Sequence, residues 1–141
     1  IMASVKGTNF TNITADPVVK VDSGMWSGKL RVQYDSFEAS SLASGSDISV
    51  ARLPKGAMVW DVVIMHDALG SGVTLKVGDS ADDDRYVAAT AAASAGVISM
   101  HNDGAIAGFG FEQTAETDVL ITTGGAAATG TIKIKIVYAV E

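Results

Sequence analysis

The chain of 141 residues contains no cysteine, which removes disulfides, thiolate metal sites and a cysteine nucleophile together. Its only histidines are His66 and His101, and neither lies in a Gly-x-Ser-x-Gly turn, so a serine–histidine nucleophile has no sequence support. Basic runs are also missing. Ten basic against sixteen acidic side chains give a net charge of −6, which speaks against nucleic acid and against an anionic membrane as partners. No apolar run approaches the roughly 20 residues of a bilayer span. The start Ile1-Met2-Ala3-Ser4-Val5-Lys6 has no hydrophobic block, so no signal peptide is expected. Met2-Ala3-Ser4 reads as a start of translation, and Ile1 before it is unexplained. Charged residues make up only 18%, where about 25% is usual. Small residues take their place, a balance that fits a surface partly covered by other subunits.

What is present has a period of two. In "TIKIKIVYAV", Ile132, Ile134, Ile136, Tyr138 and Val140 share one face, while Thr131, Lys133 and Lys135 share the other. "KLRVQYDS" is read with Leu30, Val32 and Tyr34 inward and Lys29, Arg31, Gln33 and Asp35 outward. Ile48 and Val50 are expected inside, as are Val73, Leu75 and Val77. "AMVWDVVIMHD" differs, being apolar on both faces: Met58, Trp60, Val62 and Ile64 on one, Val59, Val63 and Met65 on the other, interrupted by Asp61. Such a strand is covered on both sides. The second cover is an arm, a loop or another chain, with the chain's own N-terminal arm and another chain weighed equally.

Turn residues recur every 8–12 positions or so, the spacing of sandwiches and barrels. Strands are expected at 29–36, 47–53, 57–66, 73–77, 85–90, 96–101, 117–122 and 131–140, with no long helix. "DDDRYVAATAAASAG" admits a helix capped by Asp82 or Asp83 and stopped at Gly96, but Tyr86, Val87 and Thr90 favour a strand. The expected fold is all-β, an eight-stranded jelly-roll β-sandwich over residues 28–141 with an extended N-terminal arm over 1–27. Pro17 keeps the arm out of a central strand. Met25 and Trp26, between glycines, are expected to dock on the sandwich or on a neighbour.

Candidate chemistry is sparse. Asn9-Phe10-Thr11 and Asn12-Ile13-Thr14 match the glycosylation pattern by coincidence in a Thr-rich arm. Glu112, Glu116 and Asp118 flank an apolar stretch and read as loop acids rather than a glycosidase pair. Gly108-Phe109-Gly110 lacks the third glycine of a dinucleotide loop, since Gln113 stands there. It is better read as a flexible loop whose Ile106, Phe109 and Phe111 seat in a groove of this chain or of a partner. In "VGDSADDDRYVAAT", Asp79, Asp82, Asp83 and Asp84 have the wrong spacing for an EF-hand, and Thr90 stands where its glutamate would be. The alternatives are an acidic β-turn whose aspartates bond their own backbone, and a calcium site using Asp79, Asp82 and Asp84. The turn is the preferred reading, and no metal or cofactor is expected.

The run from Lys29 to Ala89, with the Gly/Ala loop at 124–130 and the strand that follows, resembles small virion structural proteins of tailed bacteriophages, the head decoration or cement proteins. Tyr34-Asp35-Ser36, Leu53-Pro54-Lys55-Gly56-Ala57, Asp67-Ala68-Leu69-Gly70, Val77-Gly78-Asp79 and Asp84-Arg85-Tyr86 carry the resemblance, which spans about residues 28–138. It implies binding to the major capsid protein on the outer capsid surface, as a homotrimer around local symmetry axes. It implies neither catalysis nor a cofactor. Met25, Trp26 and Phe109 are the candidate inter-subunit contacts. The alternative is a head-fibre or tail-associated receptor- or carbohydrate-binding module. That role needs exposed aromatics, for which Trp26, Phe37, Tyr86 and Phe109 are available once Trp60 and Tyr138 are assigned to the core.

Overall fold

Alternating apolar and polar residues build the strands β1 (Leu30–Leu42), β2 (Asp47–Leu53), β3 (Ala57–His66), β4 (Thr74–Gly78), β5 (Val87–Ala91), β6 (Gly96–Ser99), β7 (Thr117–Gly124) and β8 (Ala128–Val140). The computed structural model describes residues 3–140; Glu141, Met2 and the unexplained Ile1 lie outside the described residues. Every strand pairing is antiparallel, in two four-stranded sheets ordered β1-β8-β3-β6 and β2-β7-β4-β5. The first and last strands are neighbours, and consecutive strands alternate between sheets at every connection except β4 to β5. This is the jelly roll expected from the sequence.

Helical structure is confined to short pieces. One is α1 (Thr8–Ile13), in a segment expected to be extended. Another is α2 (Met100–Asp103), which ends β6 earlier than expected because the Ser99 hydroxyl accepts from the His101 N–H at 3.2 Å and caps a helical turn. The Ala-rich stretch forms a strand, β5, as read. Tyr86 N–H donates to Val77 C=O at 3.0 Å, and Tyr86 and Val87 are both fully buried, so pairing and burial on β4 outweigh helix propensity.

The core lies between the sheets. Ile132, Ile134, Ile136 and Tyr138 of β8 face Ile48 and Val50 of β2, Leu75 and Val77 of β4, and Val73 just ahead of it, all buried as expected. Two strands depart from their expected orientation. On β1 the period is right and the phase is opposite: Leu30, Val32 and Tyr34 point outward and are 61–66% exposed. Gln33 turns inward instead. Its amide donates to Arg52 C=O at 2.7 Å and to the Tyr138 hydroxyl at 3.2 Å, and accepts from Arg52 N–H at 3.0 Å. These bonds tie β1 to β2 across the open side of the sandwich, where a polar amide fits and leucine does not. Gln33→Ala is therefore expected to lower stability by about 1 kcal/mol. The shift of the urea midpoint at unchanged slope measures it, and an unchanged midpoint would show that the tie contributes nothing.

On β3 the register against β8 shifts between Val59 and Asp61, a bulge at Trp60. The bulge changes the phase of everything before it. Val59 joins Val62 and Ile64 in the core, while Met58 turns to the outer face beside Ala139. Met58 and Ala139 are buried yet separate from the main core cluster.

Candidate functional site

The bulge and the reversed phase of β1 together leave the outer face of the β1-β8-β3-β6 sheet unusually apolar. Cross-strand register arranges it in rows. The first is Leu30, Ala139, Met58; the second Val32, Val137, Asp61. The third is Tyr34, Lys135, Val63, Ser99; the fourth Ser36, Lys133, Met65, Val97. Leu30, Val32, Tyr34, Met65 and Val97 are 58–66% exposed. Between Tyr34, Val63, Met65 and the lysine stems lies a shallow depression of about 260 Å³. The outward lysines of β8 are as expected, and neither Lys133 nor Lys135 has an ion-pair partner among the described residues.

The chain's own N-terminal segment covers one end of this face. Gly24 is buried, held by the Asp22 carboxylate, which accepts its N–H at 2.7 Å; a Cβ on Gly24 would lie 3.3 Å from Met58 Sδ. The next residues, Met25 and Trp26, remain more than 40% exposed, and both N–H groups donate to Asp22 C=O. The chain's own arm lies on Met58, and nothing within the described residues covers Met65.

The loop after β6 runs along the same end of β3, with Gly110 N–H donating to Val59 C=O and a bridge between Met58 and Glu112. Asp61 of the second row contacts His101 of α2, with Oδ1 3.1 Å from Nε2. That oxygen is buried and meets no donor in good hydrogen-bond geometry. Phe109 packs edge-on against Trp60 with ring centroids 5.4 Å apart, and lies 6.1 Å from the His101 ring. Trp60, expected in the core, is half-buried beside this loop because the bulge carries it there. Ile106, in the 3-10 turn Ile106–Gly108, is 95% exposed. Phe111 instead leans on the core, with the Arg85 guanidinium 3.9 Å above its ring. Met25, Trp26 and Phe109, distant in sequence, thus stand around a single sheet face. Sequence reading missed Leu30, Val32 and Tyr34 as members of that surface, because alternation does not say which face is inside.

The acidic turn is structural at its root. Asp79 is 2% exposed, and its carboxylate accepts from Ala81 N–H and Asp82 N–H, both at 3.0 Å, and from Arg85 Nε at 2.8 Å. Gly78 is required where the turn closes, since a Cβ there would stand 2.1 Å from Asp82 C=O. The set Asp79, Asp82, Asp84 is not brought together. The carboxylates of Asp82, Asp83 and Asp84 cluster at the surface instead, and Asp83 pairs with Lys76 at 2.6 Å. Hydrogen bonding to Asp82, then desolvation and the neighbouring charges, holds the Asp84 carboxyl above the usual carboxylate range. Asp118, read as a loop acid, lies on β7, and Arg52 holds its carboxyl below that range through a 2.7 Å hydrogen bond.

The aromatic set for a glycan platform also changes. Tyr86 is fully buried, its hydroxyl accepting from the Gln113 amide, and burial pushes its phenol well above the ordinary tyrosine value. Phe37 packs against the core. Trp26 and Phe109 remain exposed, joined by Tyr34.

Fold and face together define the class: a two-sheet jelly roll with one bare, lysine-bearing apolar sheet. The chain is similar to a chain of the cyanophage Pam1 capsid asymmetric unit, with a TM-score of 0.65 and 23% identity over 100% of this chain and 93% of that one. It is similar to a chain of the Ralstonia phage GP4 capsid, with a TM-score of 0.65 and 20% identity over 81% and 86% of the two chains. A chain from the acid-stable capsid of the Helicobacter pylori bacteriophage KHP30 aligns with a TM-score of 0.59 and 13% identity over 80% and 90%. At these identities the likeness is one of fold. No protein-family model and no curated protein matches the chain.

Proposed function

We propose that the chain is a bacteriophage capsid decoration protein that binds the outer surface of the major capsid protein shell as a homotrimer and stabilises the head. One observation carries the reading: a whole sheet face with five large apolar side chains more than half exposed, on a chain whose core is otherwise complete. Lone exposed apolar residues are ordinary, but a contiguous face of this kind marks an interaction surface. The likeness to chains of three phage capsids, across four-fifths or more of this chain, supports a place in a virion. The acidic net charge of −6 suits an outer particle surface, where like charge limits clumping.

Quantitative mass spectrometry of purified particles tests this. A decoration protein is expected in copy number comparable to the shell protein, and light scattering of the purified chain should give three times its 14.4 kDa mass. A few copies per particle, or copies that remain with tails when heads are removed, would sink the reading.

A further inference from the structure

The outer face of the β1-β8-β3-β6 sheet has a definite chemical character. Its third and fourth rows place Lys135 and Lys133 at adjacent positions on β8, with Tyr34 and Val63 flanking one and Met65 and Val97 beyond the other. Neither lysine has an ion partner among the described residues. A surface that complements this one is apolar and carries carboxylates.

A second copy of the chain does not offer such a surface. Pairing the face with itself about a two-fold axis would oppose Lys133 and Lys135 with the same lysines of the partner, a like-charge contact. The other sheet holds the clustered acids, yet none of the exposed large hydrophobics among the described residues lies on β2, β4, β5 or β7. The N-terminal segment does carry exposed Val18 and Val19 between Asp16 and Asp22, with Lys20 among them, but two valines are too small a patch to cover a face four rows long.

Size points the same way. Four strands about 4.8 Å apart and four rows about 6.8 Å apart span about 500 Å²; β6 reaches only two rows and Met58 and Ala139 are already buried, which leaves roughly 400 Å². A stable interface takes about 800 Å² per partner. The sheet alone supplies about half, so Met25 and Trp26 of the arm and Phe109 and Ile106 of the neighbouring loop must enter the contact for it to hold.

We propose that this face, bordered by Trp26 and Phe109, is the surface that docks on the shell, and that its partner is an apolar strip of the shell protein bearing acidic side chains opposite Lys133 and Lys135. The proposal rests on the decoration reading and adds the docking surface and the chemistry of its partner. The chain's contacts with its own copies then use other surfaces.

The test is co-sedimentation of the purified chain with shells of the same phage stripped of it, at low and high salt, with the oligomeric mass measured in parallel. Lys133→Glu/Lys135→Glu is expected to weaken shell binding at least about tenfold, while melting temperature and oligomeric mass stay as in the unaltered chain. Lys133→Gln/Lys135→Gln should fall between, and binding of the unaltered chain should weaken as salt rises. Unchanged binding by the charge-reversed variant overturns the docking surface. A fall in its oligomeric mass also overturns it, because the face would then join copies of this chain. If the unaltered chain fails to sediment with stripped shells, the decoration reading itself falls, and the proposal with it.

Discussion

Asp79→Ala is expected to lower the stability of the fold by about 3 kcal/mol, a large share of the 5–15 kcal/mol typical of a domain. The carboxylate is nearly inaccessible and holds two backbone N–H groups of its own turn as well as Arg85. Removing it leaves those donors unsatisfied and strands a guanidinium whose side chain is only 16% exposed, and breaking one partner of a buried pair costs about 3–5 kcal/mol. The lower end applies because Arg85 keeps its stacking on Phe111 and some access to water. Asp79→Asn separates the two contributions. It can still accept from the backbone but cannot pair with Arg85 as an ion, so it should cost less than alanine. By contrast, Asp82→Ala/Asp84→Ala removes exposed side chains and should change stability by less than about 0.5 kcal/mol, with or without calcium. Urea denaturation of the three variants measures all of this. An alanine variant as stable as the parent would show that the turn closes without Asp79, and a calcium-dependent melting shift lost in the double variant would revive the metal site.

Deletion of residues 1–27 is expected to leave a folded sandwich that shells no longer retain. The two sheets and the core cluster contain no residue from that segment, so strand pairing survives. The segment does cover Met58, which is fully buried outside the main core. Exposing that side chain costs about 1.5–3 kcal/mol, so the truncated chain should melt lower but still cooperatively. Retention should fall to background, because Met25 and Trp26 leave the border of the open face. Met25→Ser/Trp26→Ser keeps Gly24 over Met58 and isolates the contact from the cover. It should weaken retention with little change in melting. Circular dichroism and co-sedimentation read the two effects separately, and a truncated chain that binds shells with undiminished affinity would end the role assigned to the segment.

Much of the fold was legible because its strands are half-buried and strictly alternating. In β8 every second residue from Ile132 to Tyr138 is buried, and the lysines between them have only one face to occupy. The acidic turn was legible too: Gly78 and four aspartates before a strand make a turn whatever the tertiary context. What was not legible were identities of phase. Leu30-x-Val32-x-Tyr34 satisfies the rule for a strand equally well facing either way, and an inserted residue at Trp60 reverses the pattern of β3 without leaving a mark in its composition. Tyr86 illustrates the same gap, since an aromatic after an arginine in a polar loop reads as exposed until β5 pairs with β4 and draws it inside.

The sequence by itself determined the class of protein: eight strands of period two, turns at regular intervals, no thiol chemistry, and a low share of charge. Tertiary structure alone decided which faces are buried. Alternation has a period of two and therefore two phases of equal local energy, and only packing against the other sheet breaks the tie. On β1 that choice sends Gln33 to the seam and Tyr34 outward, and on β3 the bulge puts Val59 inside and Met58 out. The open, lysine-bearing face follows from these two choices.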